Sequence, residues 1–218
     1  MRHATVVVTP FAQNCSVVWC EQTGRAAVID PGGDLDRIAR VIAREQVSVE
    51  RVLLTHGHLD HVGAAGALAK HYAVPIEGPH PADAYWLDAL PDQAAMFGLP
   101  TAAPCVPDRW LSDGDSVSFG NERLAVLHCP GHTPGHLVFH HAGAQLAFVG
   151  DVLFAGSIGR TDFPGGDLGQ LMRSIREKLF PLGDDVRFFP GHGPGGTLGE
   201  ERARNPYAGD GAPRSRFM

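Results

Sequence analysis

Short apolar runs alternate with amphipathic stretches along most of the chain, and they fall into two successive groups. The first group opens with three β-branched-rich segments that are typical of an antiparallel meander, at residues 4–9, 15–20 and 25–30. Apolar residues then recur at helical spacing from Asp34 to Gln46, which predicts an amphipathic helix with Asp34 as its cap. A buried strand at residues 52–54 and a small-residue helix at residues 62–69 complete this group.

The second group follows a turn signal at residues 113–115. It predicts two hairpins, one at residues 116–119 with 123–129 and one at residues 137–141 with 145–149. A longer helix at residues 167–180, a last strand at residues 186–189 and a short helix at residues 199–204 are predicted to follow. Two groups of strands, each followed by helices, predict two packed sheets with helices outside. The predicted fold class is therefore α/β, with the four layers of an αββα sandwich.

Length and composition favour a single domain over residues 1–218. A chain of 218 residues with 44% hydrophobic content can bury a substantial core. Residues 79–107 are rich in Pro and Ala, and we expect a helical insertion of two short helices packed on the main body. The alternative is that this insertion rims a functional groove or forms a subunit contact. Residues 208–218 predict a frayed tail.

The charge balance argues against two classes of partner. A net charge of −6 lacks the basic footprint of nucleic-acid-binding proteins and gives no electrostatic reason to bind an anionic membrane. No apolar run approaches the ~18 residues that span a bilayer, and a signal peptide is not expected.

The four cysteines show no paired metal spacing, which favours reduced thiols and a cytoplasmic location. Assembly as a homo-oligomer stays open.

The densest candidate chemistry lies directly after the strand at residues 52–54. Four metal-competent side chains fall there within six residues: His56, His58, Asp60 and His61. Residues two apart in an extended segment point to the same side, so His56 and His58 converge on one point. Asp60 and His61 lie where the chain turns toward the next helix, and we expect them to be aimed at a second point nearby. A single tetrahedral zinc needs only three or four such groups.

Three later strands each deliver one more candidate ligand to the loop at their end: His132, Asp151 and His192. Seven ligands are too many for one ion, but they suffice for two divalent ions that share Asp151 as a bridge. The expected sets are His56, His58 and His132 for the first ion, and Asp60, His61 and His192 for the second. Imidazole and carboxylate ligands without thiolate suit Zn²⁺, Fe²⁺ or Mn²⁺. Occupancy of one site alone stays open.

A pair of cations would supply a nucleophile. Water shared by two cations loses a proton near neutral pH, since even one zinc lowers the pKa of its bound water to ~7. The chain offers no Gly-x-Ser-x-Gly elbow and no cysteine in a nucleophile context. We therefore expect a metal-bound hydroxide to attack a substrate carbonyl, with Asp60 and Asp151 as the catalytic carboxylates.

The order of these motifs resembles the metallo-β-lactamase superfamily. The motifs are His-x-His-x-Asp-His at 56–61, Gly-His at 131–132, Gly-Asp at 150–151 and Gly-His at 191–192. Within that superfamily, residues 150–154 and 159–163 are similar to short bacterial type II glyoxalases, the hydroxyacylglutathione hydrolases. The resemblance covers essentially the whole chain. It implies an αββα sandwich and a metal-dependent hydrolase of glutathione thioesters such as S-lactoylglutathione.

The roles of three further residues have two interpretations each. Arg160 matches the basic residue that binds a glutathione carboxylate in the family, but it could equally pair with Asp162. Asp30 is either a turn former or, as the resemblance implies, a carboxylate that fixes the metal loop. His136 either supports His132 or caps a strand.

Other activities stay open because the chain departs from longer type II glyoxalases. It has Pro194 where they carry a tyrosine, and it ends before their C-terminal helical region. One alternative is a mononuclear-iron persulfide dioxygenase, which the stretch at residues 159–163 also resembles, although the complete second ligand set favours hydrolysis. Another is hydrolysis of a different ester, a lactone, a β-lactam or a phosphodiester, since the fold hosts all of these. A binding module without catalysis would leave the ligand set unexplained.

Overall fold

Two β-sheets pack against each other and helices cover the outer surface of each, which confirms the predicted αββα sandwich. The computed structural model describes residues 1–99 and 102–212. Within these residues, buried apolar side chains form three clusters, one for each interface between neighbouring layers. The middle cluster joins Val18 and Leu53 of the first sheet to Phe119 and Phe139 of the second.

The first sheet has the strand order β1-β2-β3-β4-β5 in the described part of the chain. Its strands are β1 (Arg2–Val8), β2 (Gln13–Trp19), β3 (Arg25–Ile29), β4 (Ser48–Leu53) and β5 (Ile76–Glu77). Strands β1 to β3 are antiparallel, which confirms the predicted meander, whereas β3, β4 and β5 are parallel. Parallel neighbours require a crossover, and helices provide it.

The second sheet contains the predicted hairpins and the last strand, in the order β13-β12-β9-β8-β7-β6 for the residues described. Strands β10 and β11 pair with each other in a separate two-stranded ribbon, which follows β9 in the chain and precedes the helix that leads to β12. The strands are β6 (Ser116–Phe119), β7 (Glu122–His128), β8 (Leu137–His141), β9 (Leu146–Gly150), β10 (Leu153–Phe154), β11 (Ser157–Ile158), β12 (Arg187–Pro190) and β13 (Gly196–Thr197). Strands β9 and β12 are parallel, and the chain between them forms a helix on the outer face.

The helices are short and lie mainly in the two outer layers. They are α1 (Leu35–Arg44), α2 (Leu59–Val62), α3 (Ala65–Tyr72), α4 (Ala84–Asp88), α5 (Leu90–Met96), α6 (Leu168–Arg173) and α7 (Leu198–Arg204). The helix predicted at residues 167–180 begins as α6 and continues as a π-helix, Ser174–Leu179. Short 3₁₀ turns occur at Pro81–Asp83, Ala142–Ala144 and Phe180–Leu182.

The first sheet is apolar on both faces because it is covered on both sides. In β3, Ala26 and Val28 face the helices, while Ala27 and Ile29 face the second sheet. Successive side chains of a strand point to opposite faces, so a strand buried on both sides is a continuous apolar run. This explains why the sequence of β3 does not alternate between apolar and polar residues.

Asp34 stands at the N-cap position of α1, as predicted, but its side chain makes no capping hydrogen bond to the helix. Its backbone is left-handed (φ 49°, ψ 48°), and its Oδ2 accepts a hydrogen bond from the Thr9 N–H at 2.8 Å. The carboxylate therefore binds the segment after β1 to the start of α1. This long-range partner cannot be read from local sequence.

The helix predicted at residues 62–69 is divided into α2 and α3. The Ala64 N–H donates to the Pro31 carbonyl at 2.9 Å, so the chain between the two helices packs on the loop after β3. A Cβ at Gly63 would lie 2.6 Å from the Gly32 oxygen, and a Cβ at Gly32 would overlap the Asp60 carbonyl. Glycine is required at this close backbone approach.

Residues 79–107 contain the two expected short helices, α4 and α5. Leu87, Leu90 and Ala94 pack into the core under the first sheet. Of the predicted tail, Ala208 is buried in the core beneath the second sheet, and residues 213–218 lie outside the described residues. The assignment of the chain to a single domain stays a prediction. Across the described residues, no helix combines the length and apolar character needed to cross a membrane.

The capping box of α7 provides a test of the fold's energetics. The Thr197 Oγ1 accepts from the Glu200 N–H at 3.2 Å, and the Glu200 carboxylate accepts from the Thr197 N–H at 3.3 Å. We expect Thr197→Ala to lower the free energy of unfolding by about 0.5–2 kcal/mol, because it leaves a helix N–H without its acceptor. Urea denaturation of the metal-free protein measures this loss. Thr197→Ser keeps the hydroxyl and should keep most of the stability; equal losses in both variants would contradict the capping role.

Candidate metal centre

The predicted ligands all lie at the carboxyl ends of strands, along one edge of the sandwich. Strand β4 of the first sheet leads into the loop with His56 and His58. Strands β7, β9 and β12 of the second sheet lead to His132, Asp151 and His192. Because the two sheets pack face to face, ligands that are far apart in sequence meet at this edge.

Three imidazoles form a first cluster. His58 Nδ1 lies 3.1 Å from His56 Nε2 and 3.0 Å from His132 Nε2. Burial lowers the pKa of His58 to about 3, and burial also lowers the pKa of His56 and His132. The three rings are therefore neutral near pH 7 and direct ring nitrogens to a common point, which is the form in which histidine binds a metal.

Asp60, His61 and His192 form a second cluster beside the first. Asp60 Oδ2 lies 3.1 Å from His192 Nε2 and 3.8 Å from His61 Nε2. Burial acts to lower the pKa of His61, but the carboxylates of Asp151 and Asp60 outweigh it and raise that pKa well above its usual value. Burial acts to lower the pKa of His192 too, but its hydrogen bond to Asp60 and the charges of the Asp151 and Asp60 carboxylates together raise that pKa.

The Asp151 carboxylate lies between the two clusters. Its Oδ1 is 3.4 Å from His61 Nε2, and its Oδ2 is 3.7 Å from His132 Nε2 and 3.5 Å from His192 Nε2. Burial would raise the pKa of Asp151, but the positive charge and hydrogen bond of His61, with the charge of His192, lower it far below its usual range. The carboxylate is therefore ionised and faces ligands of both clusters.

Hydrogen bonds that the histidine rings donate to backbone carbonyl oxygens fix their orientation. His132 Nδ1 donates to the Arg160 carbonyl at 2.8 Å, and His192 Nδ1 donates to the Phe11 carbonyl at 3.1 Å. With the proton on Nδ1, Nε2 of His132 is left as the free lone pair, and Nε2 of His192 becomes one when an ion displaces the proton that it donates to Asp60. Such outer partners set the tautomer and orientation of metal-binding histidines.

Asp30 fixes the metal loop, which is the second of its two interpretations. Its carboxylate accepts from the Thr55 N–H at 2.7 Å, from the Thr55 hydroxyl at 2.6 Å and from His61 Nδ1 at 2.8 Å. Asp30, His56 and His61 also lie close enough to form a metal-binding triad. The Asp30 oxygens are already used by Thr55 and His61, so this carboxylate orients the histidine instead.

His136 has neither of the roles proposed from sequence. It is fully buried, its ring stacks on His56 at 4.7 Å and 21°, and its Nε2 accepts from the Asp151 N–H at 3.0 Å. Burial lowers its pKa well below the usual value, so the ring stays neutral and accepts this bond. His136 therefore positions Asp151.

The residues present fit divalent cations. His61 Nε2 and Asp151 Oδ1 are buried and have no hydrogen-bond partner among the described residues, although they face each other. Buried polar atoms normally have partners, and a cation would provide one here. Cys129 is buried and its pKa is raised to about 12 by burial, so it stays a thiol. The donors are therefore imidazole nitrogens and carboxylate oxygens, as expected from the sequence.

A family model decides the relationship: the Metallo-beta-lactamase superfamily model matches residues 8–192. The chain belongs to the metallo-β-lactamase superfamily. Hydroxyacylglutathione hydrolase GloC of Haemophilus influenzae is 46% identical over 203 residues, covering 93% of this chain and 95% of the relative. With this family and this relative, the protein is a metal-dependent hydrolase, which confirms the prediction at that level.

Two solved structures are similar to this one over nearly the whole chain. The structure of BLEG-1 B3 metallo-β-lactamase has a TM-score of 0.88 and 34% identity, with 95% of this chain and 99% of that one covered. A protein designated TTHA1623, solved in a di-iron-bound form, has a TM-score of 0.85 and 36% identity, with 94% and 99% covered. Superfamily membership, the two clusters and the di-iron neighbour together make divalent metals the cofactors.

A cleft of about 800 Å³ opens onto the candidate metal centre. Arg160 lines this cleft, but its guanidinium forms two bonds of 2.7 Å to Asp162 and lies 4.1 Å over the Phe163 ring. The hydrogen bond from Arg160 lowers the pKa of Asp162 to about 2. Of the two interpretations of Arg160, the structure contains the pairing with Asp162.

The sequence reasoning missed Asp83, a fully buried carboxylate between the two histidine loops. It accepts from the Gly57 N–H at 3.0 Å, the Thr133 hydroxyl at 2.8 Å and the Gly135 N–H at 2.6 Å. Gly57 separates two ligands of the first cluster, and Thr133 follows the third. Asp83 therefore holds the two loops at a fixed separation. In the sequence it stands in a proline-rich loop, where an aspartate is usually a turn residue.

Gln93 of α5 makes a second link that the sequence did not suggest. Its Oε1 accepts from the Leu59 N–H at 2.9 Å, and its Nε2 donates to the Trp86 carbonyl at 2.8 Å and the Gly57 carbonyl at 3.3 Å. Residues 79–107 thus brace the metal loop and also line the cleft.

We expect Asp83→Ala to weaken metal binding by roughly 10- to 100-fold, the usual cost of losing an outer partner. Its three donors would stay buried without an acceptor, and the loops that carry His58 and His132 would shift. Competition of the bound metal against a chelator measures the affinity. Asp88→Asn, at an exposed position at the end of α4, is the matched control. Unchanged affinity in Asp83→Ala would contradict the bracing role.

The two clusters should also differ in their pH dependence. The raised pKa of His61 and His192 means that the metal-free second cluster holds protons below those pKa values, and an ion must displace them. The lowered pKa of His56, His58 and His132 leaves the rings of the first cluster neutral in the same range, so an ion has no additional proton to displace there. Affinity at the second cluster should fall with falling pH, by up to about tenfold per pH unit for each displaced proton.

Counting ions per chain at limiting metal checks this difference. We expect about one equivalent to be retained at pH 6 and a second to bind as the pH rises to 8. Parallel loss of both equivalents on acidification would contradict the assigned protonation states.

Proposed function

We propose that the protein hydrolyses thioesters of glutathione, with S-lactoylglutathione as the model substrate. Water adds to the acyl carbon, the C–S bond breaks, and the products are lactate and free glutathione. The observation that carries the proposal is the Asp151 carboxylate between two histidine clusters at the floor of an open cleft. The 46% identical relative named hydroxyacylglutathione hydrolase supports the substrate class.

We assign two divalent ions to the centre, with Asp151 facing both. The ligand sets are His56, His58 and His132 for the first ion and Asp60, His61 and His192 for the second. When bound, such a pair of Zn²⁺, Fe²⁺ or Mn²⁺ ions activates water and polarises a carbonyl, terms worth several kcal/mol at the transition state. Occupancy of one site alone remains the alternative.

The carboxylates of the centre hold charge and orient water. Asp151, ionised by its histidine neighbours, provides negative charge to both ligand sets. Asp60 lines the cleft, and its Oδ2 is oriented by His192, so it can accept a hydrogen bond from the attacking water. A thiolate leaves with little acid assistance, so the chain needs no general acid for this substrate. These roles make Asp60 and Asp151 the catalytic carboxylates.

Arg160 is the candidate anchor for a glutathione carboxylate. It lines the cleft beside the first cluster, and a guanidinium binds a carboxylate through two parallel bonds. The Asp162 carboxylate already accepts two parallel bonds from the Arg160 guanidinium, so a substrate carboxylate must displace Asp162 to bind there. This exposed ion pair is weak enough to exchange.

The cysteines support a reducing compartment. Cys15, Cys20, Cys105 and Cys129 are all buried and unpaired. Disulfides are rare in the reducing cytoplasm, so we keep the cytoplasm as the proposed location. The small-molecule substrate is the proposed partner.

β-Lactam hydrolysis is the second candidate function. The 34% identical structure named as a B3 metallo-β-lactamase favours it, and the same centre would attack a lactam carbonyl. Turnover of a chromogenic cephalosporin tests it directly. Persulfide dioxygenation is less favoured, because a mononuclear iron enzyme would leave Asp60, His61 and His192 unused; oxygen consumption on glutathione persulfide separates the two.

We expect His58→Ala to abolish hydrolysis of S-lactoylglutathione while leaving the fold intact. His58 Nδ1 is the nitrogen that both other imidazoles of the first cluster approach. Initial rates and circular dichroism measure the two effects. His71→Ala, at an exposed histidine at the end of α3, is the matched control. Wild-type turnover in His58→Ala would refute the ligand assignment.

Arg160→Ala should raise KM for glutathione thioesters several-fold with a smaller change in kcat, because it removes a substrate contact far from the reacting carbonyl. Steady-state kinetics separates the two constants. Arg40→Ala, at an exposed position of α1, controls for the loss of one positive charge. An unchanged KM would remove Arg160 from the substrate site.

A further inference from the structure

Aromatic side chains line the cleft in two groups, one beside each histidine cluster. Trp86 and Phe163 lie beside His58, with ring centroids 4.6 and 5.3 Å away. The second group, which we call the acyl pocket, consists of Phe11, Phe97 and Phe154 and lies beside His192.

The acyl pocket is attached to the second cluster. The Phe11 carbonyl accepts the hydrogen bond from His192 Nδ1 at 3.1 Å, and the Phe154 ring lies 6.3 Å from the His192 ring. Phe11 and Phe97 pack edge to face at 5.1 Å. The backbone that holds a ligand of the centre therefore also carries an aromatic wall, so the wall has a fixed position relative to the reacting carbonyl.

The acyl pocket is open to solvent. Phe11 is 37% exposed and Phe97 is 47% exposed, although large apolar side chains are usually buried. Met96 beside them is 75% exposed. Contiguous exposed apolar surface next to a reactive centre is typical of a ligand-binding wall, because covering it with apolar substrate releases water.

The position of the positive charge in the cleft indicates which end of the substrate lies in the acyl pocket. Among the described residues that line it, Arg160 is the one cationic side chain apart from the histidines, and it lies on the Phe163 side. If Arg160 receives the glutathione carboxylate, the thiol part of the substrate occupies that side. The acyl group then extends past the centre toward His192 and the acyl pocket.

We propose that the enzyme selects glutathione thioesters whose acyl group carries an aromatic or bulky apolar substituent, which binds in the acyl pocket. The inference rests on the proposed thioester hydrolase function and refines its substrate class. A lactoyl group presents only one methyl to three aromatic rings and leaves most of the wall exposed. A phenyl group in place of that methyl would stack on Phe97 or Phe11.

A matched pair of substrates tests the proposal on the metal-loaded enzyme. S-mandeloylglutathione and S-lactoylglutathione differ only in a phenyl group in place of a methyl. Each is hydrolysed by adding water across the C–S bond, to mandelate or lactate and free glutathione. After each kcat/KM is divided by the rate constant for hydroxide-catalysed hydrolysis, we expect a preference for the mandeloyl substrate of at least roughly tenfold.

Variants connect the preference to the acyl pocket. Phe97→Ala should lower the ratio of the two corrected kcat/KM values several-fold, because it removes half of the exposed aromatic pair. Val106→Ala is the matched control, since Val106 is 76% exposed in the same 79–107 segment and does not line the cleft described here. It should leave the ratio and both rates unchanged.

Binding of the products gives a readout that does not depend on turnover. Calorimetric titration of the metal-loaded protein should give tighter binding of mandelate than of lactate, with a more negative heat-capacity change, the mark of buried apolar surface. Phe97→Ala should reduce both differences.

The outcomes are distinguishable. A corrected preference that is lost in Phe97→Ala supports the acyl pocket. Hydrolysis of both substrates with a ratio near one, or a ratio that Phe97→Ala leaves unchanged, overturns this inference and leaves the thioester hydrolase function standing. Hydrolysis of neither substrate by the metal-loaded enzyme overturns both.

Discussion

The structure depends on the electrostatic balance around one buried carboxylate. An ionised carboxylate out of water is costly unless it is paired, and Asp151 faces His61 and His192, the two histidines whose pKa is raised, with neutral His132 also within 4 Å. The same contacts raise the pKa of His61 and lower that of Asp151. In the absence of metal, the protonated rings of His61 and His192 place positive charge beside the Asp151 and Asp60 carboxylates, and a bound cation would supply that positive charge instead.

The sandwich makes this balance feasible because it brings four strand ends to one edge. Close approach there requires glycine. A Cβ at Gly191, next to His192, would overlap Asp151 Oδ1, and Gly150 has the positive φ of 48° that turns the chain into Asp151. His136 then fixes the Asp151 backbone, and Asp83 joins the two loops of the first cluster. Both sheets therefore supply candidate ligands and also residues that position them, and the segment at residues 79–107 supplies Asp83.

The sequence predicted the layers, and it predicted which histidine and aspartate side chains would meet at one edge, for reasons that are local. Side chains two residues apart in an extended segment point to the same side, so His56 and His58 could be paired from the sequence alone. The position of Asp151 at the end of a predicted strand also indicated that it would belong to the set of candidate ligands. Asp83, Gln93 and His136 were missed or misread because their roles consist of hydrogen bonds to segments that are distant in sequence. The side-chain role of Asp34 was misread for the same reason, since Thr9 rather than the helix is its partner.

Anomalous diffraction from crystals of the metal-loaded protein tests the central claim most directly. Two metal peaks are predicted, one against His56, His58 and His132 and the other against Asp60, His61 and His192, with the Asp151 carboxylate in contact with both. A metal peak elsewhere in the molecule, or a fully loaded centre in which Asp151 touches neither ion, would contradict the account.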